Sequence, residues 1–318
     1  MNTVNNRAGS AAPQHQTYNY MLADGAQFPD RIAPLLKSAS DLEWRAVYAG
    51  TNDEALGDAG IFLITITQWG VDPLHGLLEK MDREAPCLIV MRSVLHIDPL
   101  VKHLQAFLTA DIGEGMTSLI RYFDPRNLHE MVRIWDQQTR QHFLSPFISL
   151  HYRGHHEDWQ HIDGLAGQHG ARSQQAPAAP IVMNQAQQDQ LIQHGEPDMI
   201  LNMLVESRYL AGDQPYLVRY QDFLPRYQRG RAWRLSEFAD LYHYCCLSYE
   251  FGLYFDCHPM ITPALHRHID GQQPMNNFQR QIPNQVWLEL KAQQLANEPE
   301  GQASDARAKQ RPTKQTPT

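Results

Sequence analysis

The sequence predicts an α/β N-terminal lobe, with a mixed, largely parallel sheet carrying helices on both faces, followed by a mainly α-helical C-terminal lobe. Three observations carry this. Two runs, "IFLITIT" and "CLIVMR", are continuously apolar and β-branched, the pattern of strands buried on both faces. Strand-like runs alternate with amphipathic helical segments over the first half, as in sheets covered on both sides. After a Gly-, Ala-, Gln- and Pro-rich stretch, "DGLAGQHGARSQQAPAAP", the remaining segments read as helices.

In chain order, residues 1–16 are polar and read as a disordered leader without a signal peptide. "YNYMLADGA" is a strand ending at Asp-Gly, and "FPDRIAPLLKS" a short helix with Pro29 in its first turn. "WRAVYAG" is a strand stopped by Gly50, and "IFLITIT" the first buried strand. "VDPLHGLLEKMDRE" is a helix with Asp72 as cap and Pro73 in the first turn; Leu74, Leu77, Leu78 and Met81 share a face. "CLIVMR" is the next strand, and "DPLVKHLQAFLT" repeats the Asp-Pro helix start. "DIGEGMTS" is a turn, "TSLIRYF" a strand, "DPRNLHEMVRIWDQQTRQHF" one helix and "PFISLHY" the last strand. In the third Asp-Pro pair, Asp124 sits where an N-cap belongs and Pro125 at the first helical position.

The α/β domain is placed at residues 17–162, a linker or long loop at 163–183, a helical lobe at 184–297 and a disordered tail at 298–318. In the helical lobe, "NQAQQDQLIQHG", "EPDMILNMLVESRYLAG", "PYLVRYQDFLPRYQRG", "SEFADLYHYCCLSYEFG" and "PNQVWLELKAQQLA" read as separate helices, several ending at Gly.

The totals restrict the function classes. A chain of 318 residues with 42% hydrophobic and 19% charged residues can bury a large core. A net charge of −8 argues against nucleic acid as the main partner. No run reaches membrane-span length, and the four cysteines form no disulfide framework, so a cytoplasmic location is expected.

Four constellations bear on chemistry. His151, His155, His156 and His161, with Glu157 and Asp158, are of types that ligate zinc or iron, so a metal-dependent hydrolase is the alternative function. Their spacing matches no common zinc motif, and a polar loop explains the same composition. Cys245-Cys246 beside His243, and Cys257-His258, offer thiols, yet Cys245 lies on the apolar face of a helix and reads as a small buried hydrophobe. Arg121 and Arg126 flank Asp124 and can pair with it, locking the corner where strand becomes helix. Phosphate-binding loops and nucleophile elbows are absent from the sequence, so no cofactor is expected. The stretch Arg208–Arg234 is rich in aromatics and arginine, which favours protein contacts through Tyr216, Arg219, Tyr220, Phe223, Tyr227 and Trp233. A solvated helix face reads the same residues differently. Nucleic-acid binding through Arg219–Arg234 would carry a steep salt dependence.

The segments "YMLADGAQFPDRIAPLL", "VYAGTNDEALGDAGIFLITI" and "GMTSLIRYFDPRNLHEMVRIWDQQTRQHFLSPF" together resemble the effector-adaptor, or effector-chaperone, proteins of bacterial type VI secretion. The resemblance covers roughly residues 18–160, and "RYFDPR" is its most specific piece. The opening Leu-x-Asp-Gly-Ala strand and Gly50 are further markers. It implies a cytoplasmic, non-enzymatic protein that binds a toxic effector and helps load it onto the valine-glycine repeat spike protein, VgrG. Its implied partners are the secreted toxin and the spike, with no nucleic acid and no membrane. No catalytic residue is carried over. Arg121, Tyr122, Phe123, Asp124, Pro125 and Arg126 match the family segment, and their reading here is architectural. Two surfaces are expected, one holding a segment of the effector, with the helical lobe a candidate for it, and another meeting the spike; the sequence does not assign them to lobes.

Overall fold

The computed structural model describes residues 16–67, 73–166, 181–270 and 275–297. The expected capping by Asp72, residues 167–180 of the expected linker, the tail, and all of the leader before residue 16 lie outside the described residues. The chain divides into two units, Met1–His194 with Pro215–Leu217, and Gly195–Gln214 with Val218–Thr318.

The first unit is built from β1 (Tyr18–Asp24), α1 (Ile32–Ser38), β2 (Trp44–Ala46), β3 (Ile61–Ile66), α2 (Pro73–Glu84), β4 (Leu88–Ser93), α3 (Ile97–Gln105), β5 (Thr109–Gly113), β6 (Met116–Leu119), α4 (Leu128–Ile134), α5 (Gln137–Leu144), β7 (Phe147–Tyr152), β8 (Gln160–Asp163) and β9 (Ile181–Val182), followed by the start of α6 (Gln185–Glu206). The main sheet has six strands in the order β2-β3-β1-β4-β7-β8. Every pairing in it is antiparallel. The expectation of a largely parallel sheet is therefore corrected. The physical reason is local. β3 and β4 both run antiparallel to β1, so they are parallel to each other and joined through α2, as a strand-helix-strand pattern implies. But β1 lies between them, so no parallel neighbours form.

Alternation along β1 separates two cores. Tyr20 and Leu22, with Ile61, Leu63, Ile89 and Met91, face a layer that includes Leu100, Leu104, Phe107, Leu128, Met131 and Phe143. Met21 and Ala23, with Phe62, Ile64 and Leu88, face Ile32, Leu36, Leu78 and Met81. Helices thus cover both faces. A second sheet, β6-β5-β9, pairs β5 antiparallel to β6 and parallel to β9. "TSLIRYF" therefore supplies only the end of the short strand β6, outside the main sheet. Ile120 continues its pairing through an N–H donated to the Leu108 carbonyl at 2.7 Å. The helix expected after Asp124 is two helices. Asp136 ends the first apolar turn sequence and caps α5, its carboxylate accepting from the Thr139 N–H at 2.9 Å.

In the second unit the rest of α6 is followed by α7 (Tyr216–Ala232, entering the unit at Val218), α8 (Phe238–Phe251), α9 (Ile261–Asp270), α10 (Met275–Gln281) and α11 (Asn284–Asn297). The two helices expected between residues 184 and 212 are the single helix α6. α8 is the central helix: Leu241, Tyr244, Cys245, Cys246, Leu247, Ser248 and Phe251 are all buried, so it is surrounded on most sides. Gly252, at φ +97°, ends it, its N–H bonded to the Ser248 carbonyl at 3.1 Å. Among the described residues no helix is long and apolar enough to cross a membrane.

Candidate functional site

In the first unit the Asp24 end of the first strand and the Arg121–Arg126 segment meet at one corner. Apolar β1 ends by delivering Asp24, 1% exposed, to the end of the sheet. Asp24 accepts from the Ala26 N–H at 3.0 Å, turning the chain. Gly25 is held against backbone: a Cβ there would lie 2.5 Å from the Gly60 oxygen. From the other side comes Asp124, 2% exposed. Its Oδ1 accepts from the Arg126 N–H at 3.0 Å and from Arg126 Nε at 2.9 Å, and its Oδ2 accepts from Arg126 Nη2 at 2.7 Å. This is a bidentate fork combined with an Asx turn. Asp124 is therefore not the side-chain cap of α4. Its carbonyl accepts from the N–H groups of Asn127 and Leu128, and the helix starts at Leu128. Similarly, α3 starts at Ile97 and the Asp98 carboxylate accepts from Arg45 Nε at 2.8 Å.

Arg121 joins the two buried carboxylates. Its Nη2 lies 3.4 Å from Asp24 Oδ2 and 3.6 Å from Asp124 Oδ2, while its side chain is 45% exposed. Burial raises the Asp24 pKa above the ordinary value; Arg121 opposes this and the charge of Asp124 adds to it. Tyr122 is fully interior and donates its hydroxyl to the Leu104 carbonyl at 2.8 Å. Phe123 meets Tyr48 edge to face at 6.3 Å, with the Arg121 guanidinium 5.7 Å from the Phe123 ring. Pro125 is buried, and a Cβ on Gly154, at φ +57°, would lie 2.9 Å from its oxygen. The arrangement fixes geometry, and what it offers solvent is one side of Arg121. The partnership of Asp24 with the Arg121–Arg126 segment was not foreseen; the Asp-Gly pair closing the first strand was the available signal.

The histidines expected to cluster go to two places. His151 and His161 face each other across β7 and β8, ring centroids 6.2 Å apart. His151 Nε2 lies 3.0 Å from Ser149 Oγ, and burial, with His161, lowers its pKa against the opposing pull of Asp163. His155 instead lies 6.1 Å from the rings of both His194 and Tyr216, and His156 is exposed. Among the described residues, no group of three or more His, Cys, Asp or Glu is arranged to hold a metal ion.

In the second unit, Asp256 is the fixed point. Only 1% exposed, it accepts from Arg229 Nη2 at 2.7 and 2.8 Å, Trp233 Nε1 at 2.6 Å and the Tyr244 hydroxyl at 2.8 Å. Burial, then the Asp256 charge, pushes the Tyr244 pKa well up. Beside this cluster is a hollow of about 500 Å³, with Trp233, His266 and Ile269 on its wall and Arg234 and Asp270 also lining it. Of the six residues expected to contact a partner, Tyr216, Phe223 and Tyr227 are buried; Arg219, Tyr220 and Trp233 are half-buried. Tyr227 donates to Glu196 Oε1 at 2.6 Å. Cys245 is buried with its thiol pKa pushed well up, and burial raises that of Cys246 to about 11, so both are held as thiols at neutral pH. Cys257 is exposed.

A protein-family profile described as a domain of unknown function (DUF4123) matches residues 19–142, the span that contains the Asp24–Arg121–Asp124–Arg126 corner. No curated protein and no solved structure matches the chain.

Proposed function

We propose that this chain is a cytoplasmic adaptor of type VI secretion, which binds a toxic effector and loads it onto the VgrG spike without catalysing a reaction. The observation that carries the reading is the match over residues 19–142, a domain generally associated with such adaptors. Asp24 and the Arg121, Asp124 and Arg126 of the most specific segment, 97 or more residues apart in sequence, meet in one ion network whose two carboxylates are buried. A chemistry that only positions backbone suits a scaffold whose work is done by its surfaces. The half-buried Trp233, set beside a hollow in the helical unit, is the kind of anchor that protein partners use.

The test is affinity capture with the tagged full chain, using purified spike and toxin from the same secretion system. The expected result is a complex containing all three. Capture of neither protein, together with stoichiometric bound zinc or iron and a chelator-sensitive hydrolysis, would replace the adaptor with the metal-dependent hydrolase.

A further inference from the structure

Among the described residues, the β5–β6 hairpin leaves one edge open: β6 pairs with β5 alone, and all four of its residues are exposed. None is charged, and Met116 and Leu119 are 53% and 38% exposed. The turn leading into it, Gly113-Glu114-Gly115, has positive φ at all three residues. The other edges are protected as edges usually are. β2 is three residues long and its Arg45 is bonded to Asp98 and Glu43. β8 carries exposed His161 and Asp163. β9 is two residues long, with α6 beginning three residues after it.

The phase of the ladder tells which groups are open. Ile120 donates its N–H to Leu108, so Ile120 and, two residues back, Ser118 point toward β5. The backbone groups of Thr117 and Leu119 therefore point outward. Charge brackets them: Glu114 is exposed at one end, and Arg121 is 45% exposed at the other.

We propose that β6 is a docking edge for an extended segment of a partner protein, which adds antiparallel to it as a further strand. The segment has an uncharged, alternating apolar and hydroxyl core of about four residues. An acidic residue at its N-terminal end meets Arg121, and a basic residue at its C-terminal end meets Glu114. A second copy of the chain would meet the same charges. However, a four-residue ladder covers far less than the roughly 1,200–2,000 Å² of a stable interface. A dimer of this chain resting on this edge alone would therefore not be stable, and the occupant is a single extended segment of a different protein, which strand addition can hold without a domain-sized contact. This deepens the adaptor reading and rests on it for the partner's being a protein.

The experiment is a fluorescence-anisotropy titration of the full chain with the labelled, end-blocked peptide Glu-Thr-Val-Thr-Val-Thr-Lys. A second peptide has Glu and Lys exchanged, and a third has Pro at the middle position. The first is expected to bind, the exchanged peptide about fivefold more weakly, and the Pro peptide not measurably. Thr117→Pro removes an outward N–H and keeps the β5 ladder; it should weaken binding at least about tenfold with an unchanged circular-dichroism melt. Thr117→Lys, which guards the edge without proline, should do likewise. No binding by the native chain, or equal binding by both variants, overturns the proposal. So does a concentration-dependent dimer, seen by light scattering and lost in Thr117→Pro, which would make the occupant a second copy. The titration needs neither toxin nor spike, so it fails or succeeds separately from the adaptor reading. A Thr117→Pro chain that still captures toxin and spike at full strength leaves the adaptor intact and removes only the hairpin's part in it.

Discussion

Asp124 shows how much one side chain can fix. It is buried, it takes both forks of Arg126, and it shares Arg121 with Asp24. Replacing it by Ala takes from the largely buried Arg126 the carboxylate that holds both of its forks. Removal of one member of a buried pair costs about 3–5 kcal/mol, and partial exposure of Arg121 puts Asp124→Ala near the lower figure. Urea denaturation of the full chain measures it. Asp24 makes a second prediction, and its sign follows from burial. Its folded pKa is raised, so the folded chain holds that proton more tightly than the unfolded chain. The contribution to stability is present below the ordinary value of 3.8 and is lost as pH rises through the folded value. Asp24→Asn, which keeps an acceptor for the Ala26 N–H, should remove this loss. Urea midpoints measured across that interval should show native and variant chains diverging as pH rises, with the variant gaining. At this scale the sequence was partly legible. The Arg121–Asp124–Arg126 pairing follows from spacing alone. Asp24 does not, because 97 residues separate it from Arg121 and only the fold brings them together.

Among the elements, strongly patterned pieces were readable and their ends were not. β1, β3, β4 and β7 lie where apolar runs predict strands. The Asp-Pro dipeptides marked helix starts to within a turn, but the two described ones work differently from a side-chain cap: Asp124 closes an Asx turn and Asp98 pairs with Arg45. The long helical pattern after Asp124 concealed a break, because Trp135 continues the apolar spacing while Asp136 caps a new helix. The α3–α5 contact yields a prediction of its own. His103 Nε2 lies 2.9 Å from the Phe143 carbonyl, among Phe107, Phe143 and Phe147. Burial first, with His142 adding and the Phe143 carbonyl opposing, lowers its pKa to about 4. The unfolded chain therefore takes up the proton first, and stability falls as pH drops from about 6.5 toward 4. His103→Gln should be less steep there, by about 3 kcal/mol at the acid end, read as a smaller drop in the melting midpoint. An equal slope in both chains would mean that other groups dominate the acid response.

For the molecule as a whole, the sequence's strand-helix-strand rhythm was real, and the inference of a parallel sheet drawn from it was not. Periodicity records which residues are buried and says nothing about which strand is whose neighbour. β1 inserts between β3 and β4, and every pairing in the main sheet becomes antiparallel while the linear pattern is unchanged. In the aromatic stretch of α7, Phe223 and Tyr227 are interior, because a helix packed in its own unit uses the same residue types that an interface would. What remains for partners is surface, including Trp233 beside its hollow and the open edge of β6. The central claim is that such surfaces carry a toxin to a spike. The most direct measurement is purification of the tagged spike from secreting cells with and without this chain, quantifying the toxin that co-elutes. The adaptor account predicts that toxin is present with the chain, absent without it, and restored by the native chain supplied in trans. Equal toxin on the spike in both cells, at equal toxin expression, would contradict it.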